Sequence, residues 1–358
     1  MQRKITQLDF TGQKIFVGCD VHKKSWAVTI MSENLLLKTF SQPPNPEVLA
    51  NYLFKHYPGA EYHSAYEAGF SGFWIHYSLQ SLGIKSIVVN AADVPTTSKE
   101  VLMKEDRRDS LKIAKALRGN LLKPIHVPDP STVDERLLIR SRMALAKDLA
   151  MYKNRVKSFL NLYGIEIPVE FASGSRTWSR NFISWLRALP MDGKVAKEAI
   201  ENYTDNCLHM KASKLKVTRQ INELAKTEKY SENVQLLRSV PGIAVLSAMH
   251  LLTELESIDR FSSFDKLNSY IGFVPSTFSS GESERTGNIT PRGHHQLRSI
   301  LVESAWIAVK NDPSLTLKYQ QLLSRMNGNR AIVRIAKKLV GRIYFILKNK
   351  QPYQIGRP

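Results

Sequence analysis

The stretch KIFVGCDVHKKSWAVTIMSENLLLKTF, residues 14–40, decides the fold of the first part of the chain. Residues 14–19 are a short apolar run that ends at Asp20. Residues 25–31 (SWAVTIM) alternate and are rich in β-formers, and Leu35–Phe40 reads as a third strand after a turn at Glu33-Asn34. Three strands joined by tight turns predict an antiparallel meander. Downstream, residues 47–57 read as a helix and Tyr62–Tyr66 as a strand ending at Glu67. Residues 72–82 fit an amphipathic helix closed by Gly83, and Lys85–Asn90 a buried strand. Residues 107–118 read as a helix with Gly119 at its C-cap. The order β-β-β-α-β-α-β-α over residues 1–130 describes an α/β domain with a mixed sheet.

Pro128 and Pro130 mark a boundary. Thr132 and Glu135 form a capping-box pattern, and the helix that follows runs to about Tyr163 and stops at Gly164. Apolar residues at Leu138, Leu145, Leu149, Tyr152, Val156, Phe159 and Tyr163 approach a heptad seam, broken once by Arg142. That seam serves either an intramolecular hairpin, with residues 208–228 as partner, or a coiled-coil contact between subunits. Residues 165–207 are less regular and read as an insertion, so 131–230 form a central long-helix region. From residue 231 the chain reads as a mainly helical domain. Gln235–Val240 leads into Pro241-Gly242-Ile243, and residues 245–255 look helical. A Gly-, Ser- and Thr-rich stretch at 272–293 precedes two helical segments at 294–310 and 314–349, broken near Asn327-Gly328.

The 358 residues suffice for two or three domains, and 43% apolar residues exclude a disordered chain. With 51 basic and 32 acidic residues the net charge is +19, which points away from an ordinary metabolic enzyme and towards a polyanion. The surplus is uneven: residues 313–358 carry ten basic residues and no acid, while the first segment is nearly neutral. No apolar run reaches the roughly 18–20 residues of a membrane helix, and MQRKITQLDF does not read as a signal peptide. Cys19 and Cys207 form no CxxC pair, which excludes a thiolate zinc knuckle and gives no sign of a disulfide framework. The expectation is a soluble cytoplasmic protein that handles nucleic acid.

Four acids stand out in the near-neutral segment: Asp20 and Glu67 at strand ends, and Asp106 and Asp109, three apart at the start of a helix and so able to share a face. Any one alone reads as a surface residue or helix cap. Together on this topology they suggest a magnesium site, because converging carboxylates repel unless a hard cation neutralises them. Two such ions can clamp the attacking and leaving oxygens of a phosphodiester. An acid on the first strand is also the arrangement of RNase H-like nucleases. Ser279-Ser280-Gly281 reads as a flexible loop followed by Arg285, Arg292 and Arg298, which suit phosphate oxygens. A serine hydroxyl needs activation, which a carboxylate–magnesium site could supply. Val240-Pro241-Gly242-Ile243 resembles a helix–hairpin–helix turn, with Ala244 at the usual second glycine; it reads either as a DNA-phosphate contact or as a plain helix turn. His22, His294 and His295 could assist the chemistry, but read rather as solvated loop histidines.

The blocks together resemble the Piv-type insertion-sequence transposases, the bridge-RNA-guided recombinases. The matching blocks are Gly18-Cys19-Asp20-Val21-His22-Lys23, Glu67-Ala68-Gly69, Lys104-Glu105-Asp106-Arg107-Arg108-Asp109 and Val240-Pro241-Gly242-Ile243. They continue with Gly272-Phe273-Val274-Pro275, Ser279-Ser280-Gly281, Gly287-Asn288-Ile289-Thr290, Gly293, Arg298 and Lys337-Lys338-Leu339. Pro291 stands where a lysine is usual and Ser110 where an alanine is usual. The resemblance implies a RuvC-like first domain with Asp20, Glu67, Asp106 and Asp109 as magnesium ligands. It implies a C-terminal transposase domain with Ser280 as nucleophile, Ser279 being the runner-up, and nucleic-acid contacts at Arg285, Arg292, Arg298, Lys337 and Lys338. It further implies a structured guide RNA that pairs with donor and target DNA, a tetramer with composite sites, a helical middle for assembly and RNA binding, and a place at the prokaryotic nucleoid. The rival readings are a metal-dependent hydrolytic nuclease such as a Holliday-junction resolvase, with water as nucleophile, and a non-catalytic nucleic-acid-binding protein.

Overall fold

The computed structural model describes residues 9–96, 106–172, 177–280, 283–289 and 292–356, and for 276–280, 283–286 and 288 the course of the backbone. Lys104, Glu105, Gly281, Thr290 and Pro291 of the sequence blocks lie outside the described residues. The chain divides into two compact units, residues 1–128 and 129–358.

The first unit opens with β1 (Lys14–Val21), β2 (Trp26–Met31) and β3 (Leu36–Gln42), which form the expected antiparallel meander. Helix α1 (Pro46–His56) follows, its start set by Asn45, whose side chain accepts from the Glu47 N–H at 2.8 Å. Next come β4 (Glu61–Glu67), α2 (Trp74–Ser81), β5 (Lys85–Val89) and α3 (Asp106–Arg118). Strands β4 and β5 run parallel to β1, giving a mixed sheet in the order β3-β2-β1-β4-β5. Leu49, Leu53, Ile75 and Leu79 of α1 and α2 pack on one face with Ile15, Val17 and Val28. Helix α3 covers the other, so β2 is buried along its whole length. At the end of α3 it is Asn120, φ +52°, that turns left-handed, not Gly119.

The second unit begins with α4 (Pro130–Leu162). Its N-cap is Asp129, which accepts from the Ser131 N–H at 2.9 Å. The Thr132/Glu135 capping box is therefore corrected: Pro130 pre-sets the helix two residues earlier, Thr132 is internal, and Glu135 binds Lys229 at 2.6 Å. Helix α5 (Arg180–Ala188) precedes α6 (Lys194–Leu224), which packs along α4. The return helix thus starts fourteen residues before the expected 208, and the region between the two helices shrinks accordingly. The small and polar residues of Lys194–Cys207 disguised its buried positions, Ile200, Thr204 and Cys207. Arg142, which interrupts the seam, donates across the hairpin to Thr218 Oγ1 at 2.9 Å.

Helices α7 (Ser231–Arg238), α8 (Val245–Leu255) and α9 (Phe264–Ile271) lead to a hairpin of β6 (Pro275–Ser280) and β7 (Ser283–Ile289). Helices α10 (His295–Asn311), α11 (Pro313–Leu323) and α12 (Gly328–Asn349) complete the unit. One core gathers α7–α12 around Leu251, Leu267, Leu301, Ile335 and Leu339 and takes in Ile139 and Ile221 from the root of the α4–α6 hairpin. The Val240–Ile243 turn packs against α10, where Ser304 Oγ donates to the Gly242 carbonyl at 3.1 Å.

Candidate metal centre and serine hairpin

Side chains alternate between the two faces of a strand. In β1, Ile15, Val17 and Cys19 enter the core shared with α1 and α2, so Gly18 and Asp20 belong to the face that α3 covers. Gly18 has no side chain to hold the helix away. A Cβ there would overlap the Ser110 carbonyl oxygen and the Ala114 nitrogen, and would stand 2.9 Å from the Ala114 Cβ. The first turns of α3 therefore lie directly on the β1 backbone. A row of hydroxyls fastens them there: Thr39 Oγ1 is 3.1 Å from Thr29 Oγ1, which is 2.8 Å from Ser110 Oγ, which donates to the Arg107 carbonyl at 3.0 Å. Ser110, the departure from the usual alanine, is the α3 end of this buried chain.

This packing brings Asp106, the first residue of α3, to the end of β1. The ligand atoms of Asp20, His22 and Asp106 lie within 4.8 Å of one another. His22 Nε2 is 3.1 Å from Asp20 Oδ2 and 3.5 Å from Asp106 Oδ1. Burial pushes the Asp20 carboxyl up; His22 pulls it down, while Asp106 and Asp109 add to the rise by repulsion. Glu67 ends β4, the parallel neighbour of β1, one residue beyond the Cys19–Tyr66 pair, just as Asp20 follows Cys19 near the end of β1. Asp109 turns to Lys112 at 3.1 Å. The structure thus joins Asp20 and Asp106 through His22, and leaves Glu67 and Asp109 outside that triad. His22 lies exposed in the turn just beyond β1, as expected of a solvated loop histidine, and its ring nevertheless meets both carboxylates. Its position two residues after Asp20, on the same side of the strand end, was the signal for it. Mixed carboxylate and imidazole donors around a half-buried, repelled carboxylate fit a divalent cation, and Asp20, His22 and Asp106 would hold it.

Ser279 and Ser280 are the last two residues of β6, opposite Glu284 and Ser283. The expected flexible loop is corrected to strand. Its sequence lacks the polar–apolar alternation that marks a strand, and its backbone pairs with β7. Arg285 pairs in register with Phe278. At the hairpin root the backbones of Gly272 and Gly293 touch, with φ +89° and +130°, a contact that only glycines permit. Arg298 donates to the Gly272 carbonyl at 3.1 Å, and Arg292 immediately precedes Gly293.

Beside this root, His294 caps α10 by accepting from the Leu297 N–H on Nδ1 at 3.2 Å, and its Nε2 meets Glu254 Oε2 at 3.1 Å. Glu254, 1% exposed, also takes Arg140 on both oxygens at 2.9 and 3.0 Å and Arg136 at 3.2 Å. Burial pushes its carboxyl up, but His294, Arg140 and Arg136 outweigh burial and hold it down to about 2. His294 is therefore corrected from solvated loop residue to anchor. Lys338 is exposed and Lys337 half-buried on α12.

Comparison with known proteins agrees with this layout. A DEDD transposase profile of the IS110 group matches residues 17–165, which include the acids and His22. The profile described as "Transposase IS116/IS110/IS902 family" matches residues 234–320, which include the serine hairpin. Similar proteins include the transposase for insertion sequence element IS1533 of Leptospira borgpetersenii, 26% identical over 95% of this chain and 97% of the relative. The putative transposase y4qE of Sinorhizobium fredii is 27% identical over 79% of this chain and 74% of the relative. The transposase for IS1111A of Coxiella burnetii is 24% identical over 80% and 78%. The sheet, its acidic edge and these relatives define an enzyme that cuts and rejoins DNA, a transposase. The chain belongs to the IS110/IS116 family of insertion-sequence transposases. No helix among the described residues is long and apolar enough to cross a membrane.

Proposed function

We propose that the protein is an RNA-guided recombinase that moves its insertion sequence through a covalent phosphoserine–DNA intermediate. The observation that carries the reading is the meeting of Asp20, His22 and Asp106 at the end of the central strand, in a chain whose second matched segment holds Ser280. Ser280 Oγ attacks a backbone phosphorus; the new P–O bond to serine replaces the P–O bond to a DNA hydroxyl, which leaves with a proton. A hydroxyl from another strand then attacks the phosphoserine, and the serine recovers its proton. The ester keeps the energy of the original phosphodiester, so no nucleotide hydrolysis is required. Asp20 and Asp106, with Glu67 and Asp109 as further carboxylates, would hold a magnesium ion, which would supply Lewis-acid stabilisation of the developing phosphoryl charge. Arg285, Arg292, Arg298, Lys337 and Lys338 grip DNA and RNA phosphates, in keeping with the net charge of +19. The guide RNA pairs with donor and target DNA, and a tetramer brings one subunit's acids to another's serine; both features rest on the sequence resemblance.

The test incubates the protein, with RNA transcribed from its element's flank, with DNA carrying the element's ends. The unmodified protein should yield a protein–DNA adduct stable to denaturant, and Ser280→Ala should yield neither adduct nor cut strands. Continued cutting by Ser280→Ala without any adduct would replace the phosphoserine reading by a hydrolytic one.

A further inference from the structure

We propose that His22 is a nitrogen ligand of the cation at this site, and that it biases the site towards manganese(II) over magnesium. The inference rests on the metal-centre reading above and adds to it one donor and a selectivity.

The geometry argues for ligation. Asp20 and His22 are two residues apart where β1 enters its turn, so both project to one side. In an octahedral shell with bonds of about 2.1 Å, neighbouring ligand atoms stand about 3.0 Å apart. His22 Nε2 lies 3.1 Å from Asp20 Oδ2, which is already the spacing of adjacent ligands. Its 3.5 Å to Asp106 Oδ1 closes with a shift of about half an ångström, within the torsional reach of an exposed aspartate at a helix start. Among the described residues, the imidazole is the one basic side chain within ion-pair range of both carboxylates. The ring is 49% exposed, so no core packing fixes it. The nitrogen that faces Asp20 in the structure offers its lone pair once the ring proton sits on Nδ1.

Imidazole discriminates between cations of similar charge. Magnesium demands a compact octahedron, keeps its waters and strongly favours oxygen. Manganese(II) accepts nitrogen more readily, as first-row transition ions do. A single well-placed nitrogen therefore raises manganese affinity and leaves magnesium affinity nearly unchanged.

The experiment uses the full chain with manganese(II) alone and, in competition, magnesium alone, read by electron paramagnetic resonance of free and bound manganese. Manganese should bind at least about tenfold more tightly than magnesium, and its spin echo should show coupling to a directly bonded nitrogen. Labelling the histidines with ¹⁵N should change that coupling without any substitution. His22→Gln, which keeps a hydrogen-bonding group beside Asp20, should abolish the coupling and lower manganese affinity about tenfold, with magnesium affinity within about twofold. If His22→Gln leaves echo and affinity intact while Asp20→Asn abolishes manganese binding, His22 is not a ligand and the metal centre stands without it. If Asp20→Asn also changes nothing, the metal-centre reading falls and this inference with it.

Discussion

Replacing Gly18 by alanine tests how the acidic centre is assembled. The added methyl would stand 2.9 Å from the Ala114 Cβ and overlap the Ser110 carbonyl oxygen and the Ala114 nitrogen. Carbon atoms prefer separations of about 3.5–4.0 Å, so α3 must retreat by roughly 1 Å. Two of the three close neighbours are helix backbone, which cannot rotate aside. Overpacking of this kind costs about 1–3 kcal/mol, or roughly 3–10 °C in the melting midpoint of a unit this size. The effect on activity should be larger than the effect on stability. Asp106 rides on α3 while Asp20 stays on β1, and a displacement of about 1 Å at a reacting centre costs about 100-fold in rate. The assay is DNA strand transfer alongside thermal melting, with Gly119→Ala at the far end of α3 as control, since an added Cβ there meets ordinary contacts from 3.4 Å outward. If Gly18→Ala transfers strands within about threefold of the unmodified protein and melts with the control, contact between α3 and β1 does not set the distance between the two acids.

Asp20→Asn should abolish strand transfer by about three orders of magnitude and yet raise the melting midpoint, because burial and the nearby Asp106 and Asp109 disfavour the Asp20 charge in the fold; a variant that melts lower would contradict that electrostatic account. Glu254→Gln should destabilise the second unit by about 1–3 kcal/mol in urea titrations, since it removes the buried charge that the half-buried Arg136 and the exposed Arg140 bind. The same carboxyl predicts an acid dependence: held at about 2 against a usual 4.5, its stabilisation is complete above pH 4.5 and is lost as the pH falls towards 2. Stability of the unmodified protein should therefore drop more steeply over that window than stability of Glu254→Gln.

Much of the first unit was legible because each element bears a local signature. Alternation marked β2, apolar runs ended at Asp20 and Glu67, and the apolar face of residues 107–118 matched a helix with Ile113 and Ala114 buried. Asp20 and Glu67 could be picked out for the same reason, each standing where an apolar run ends, although either alone reads as a surface residue. The serine hairpin was not. Ser279 and Ser280 lie in a strand whose polar sequence resembles a loop, and its pairing with β7 shows only in the structure. His294 was misread as solvated, and the reach of the exposed His22 to Asp106 was not visible, because the partners Glu254 and Asp106 are distant in the chain.

By itself the sequence determined the meander, the position of the acids at strand ends, the long helix after Pro130 and the basic C-terminal segment, because strand alternation, helix periodicity and charge are local or additive properties. Only the tertiary structure decided that Gly18 is the seat of α3, that Asp106 joins Asp20 through His22, and that a buried Glu254 anchors the chain beside the hairpin root. Those facts depend on which surfaces approach within a few ångströms, and close approach is a property of packed elements that no single stretch of sequence carries.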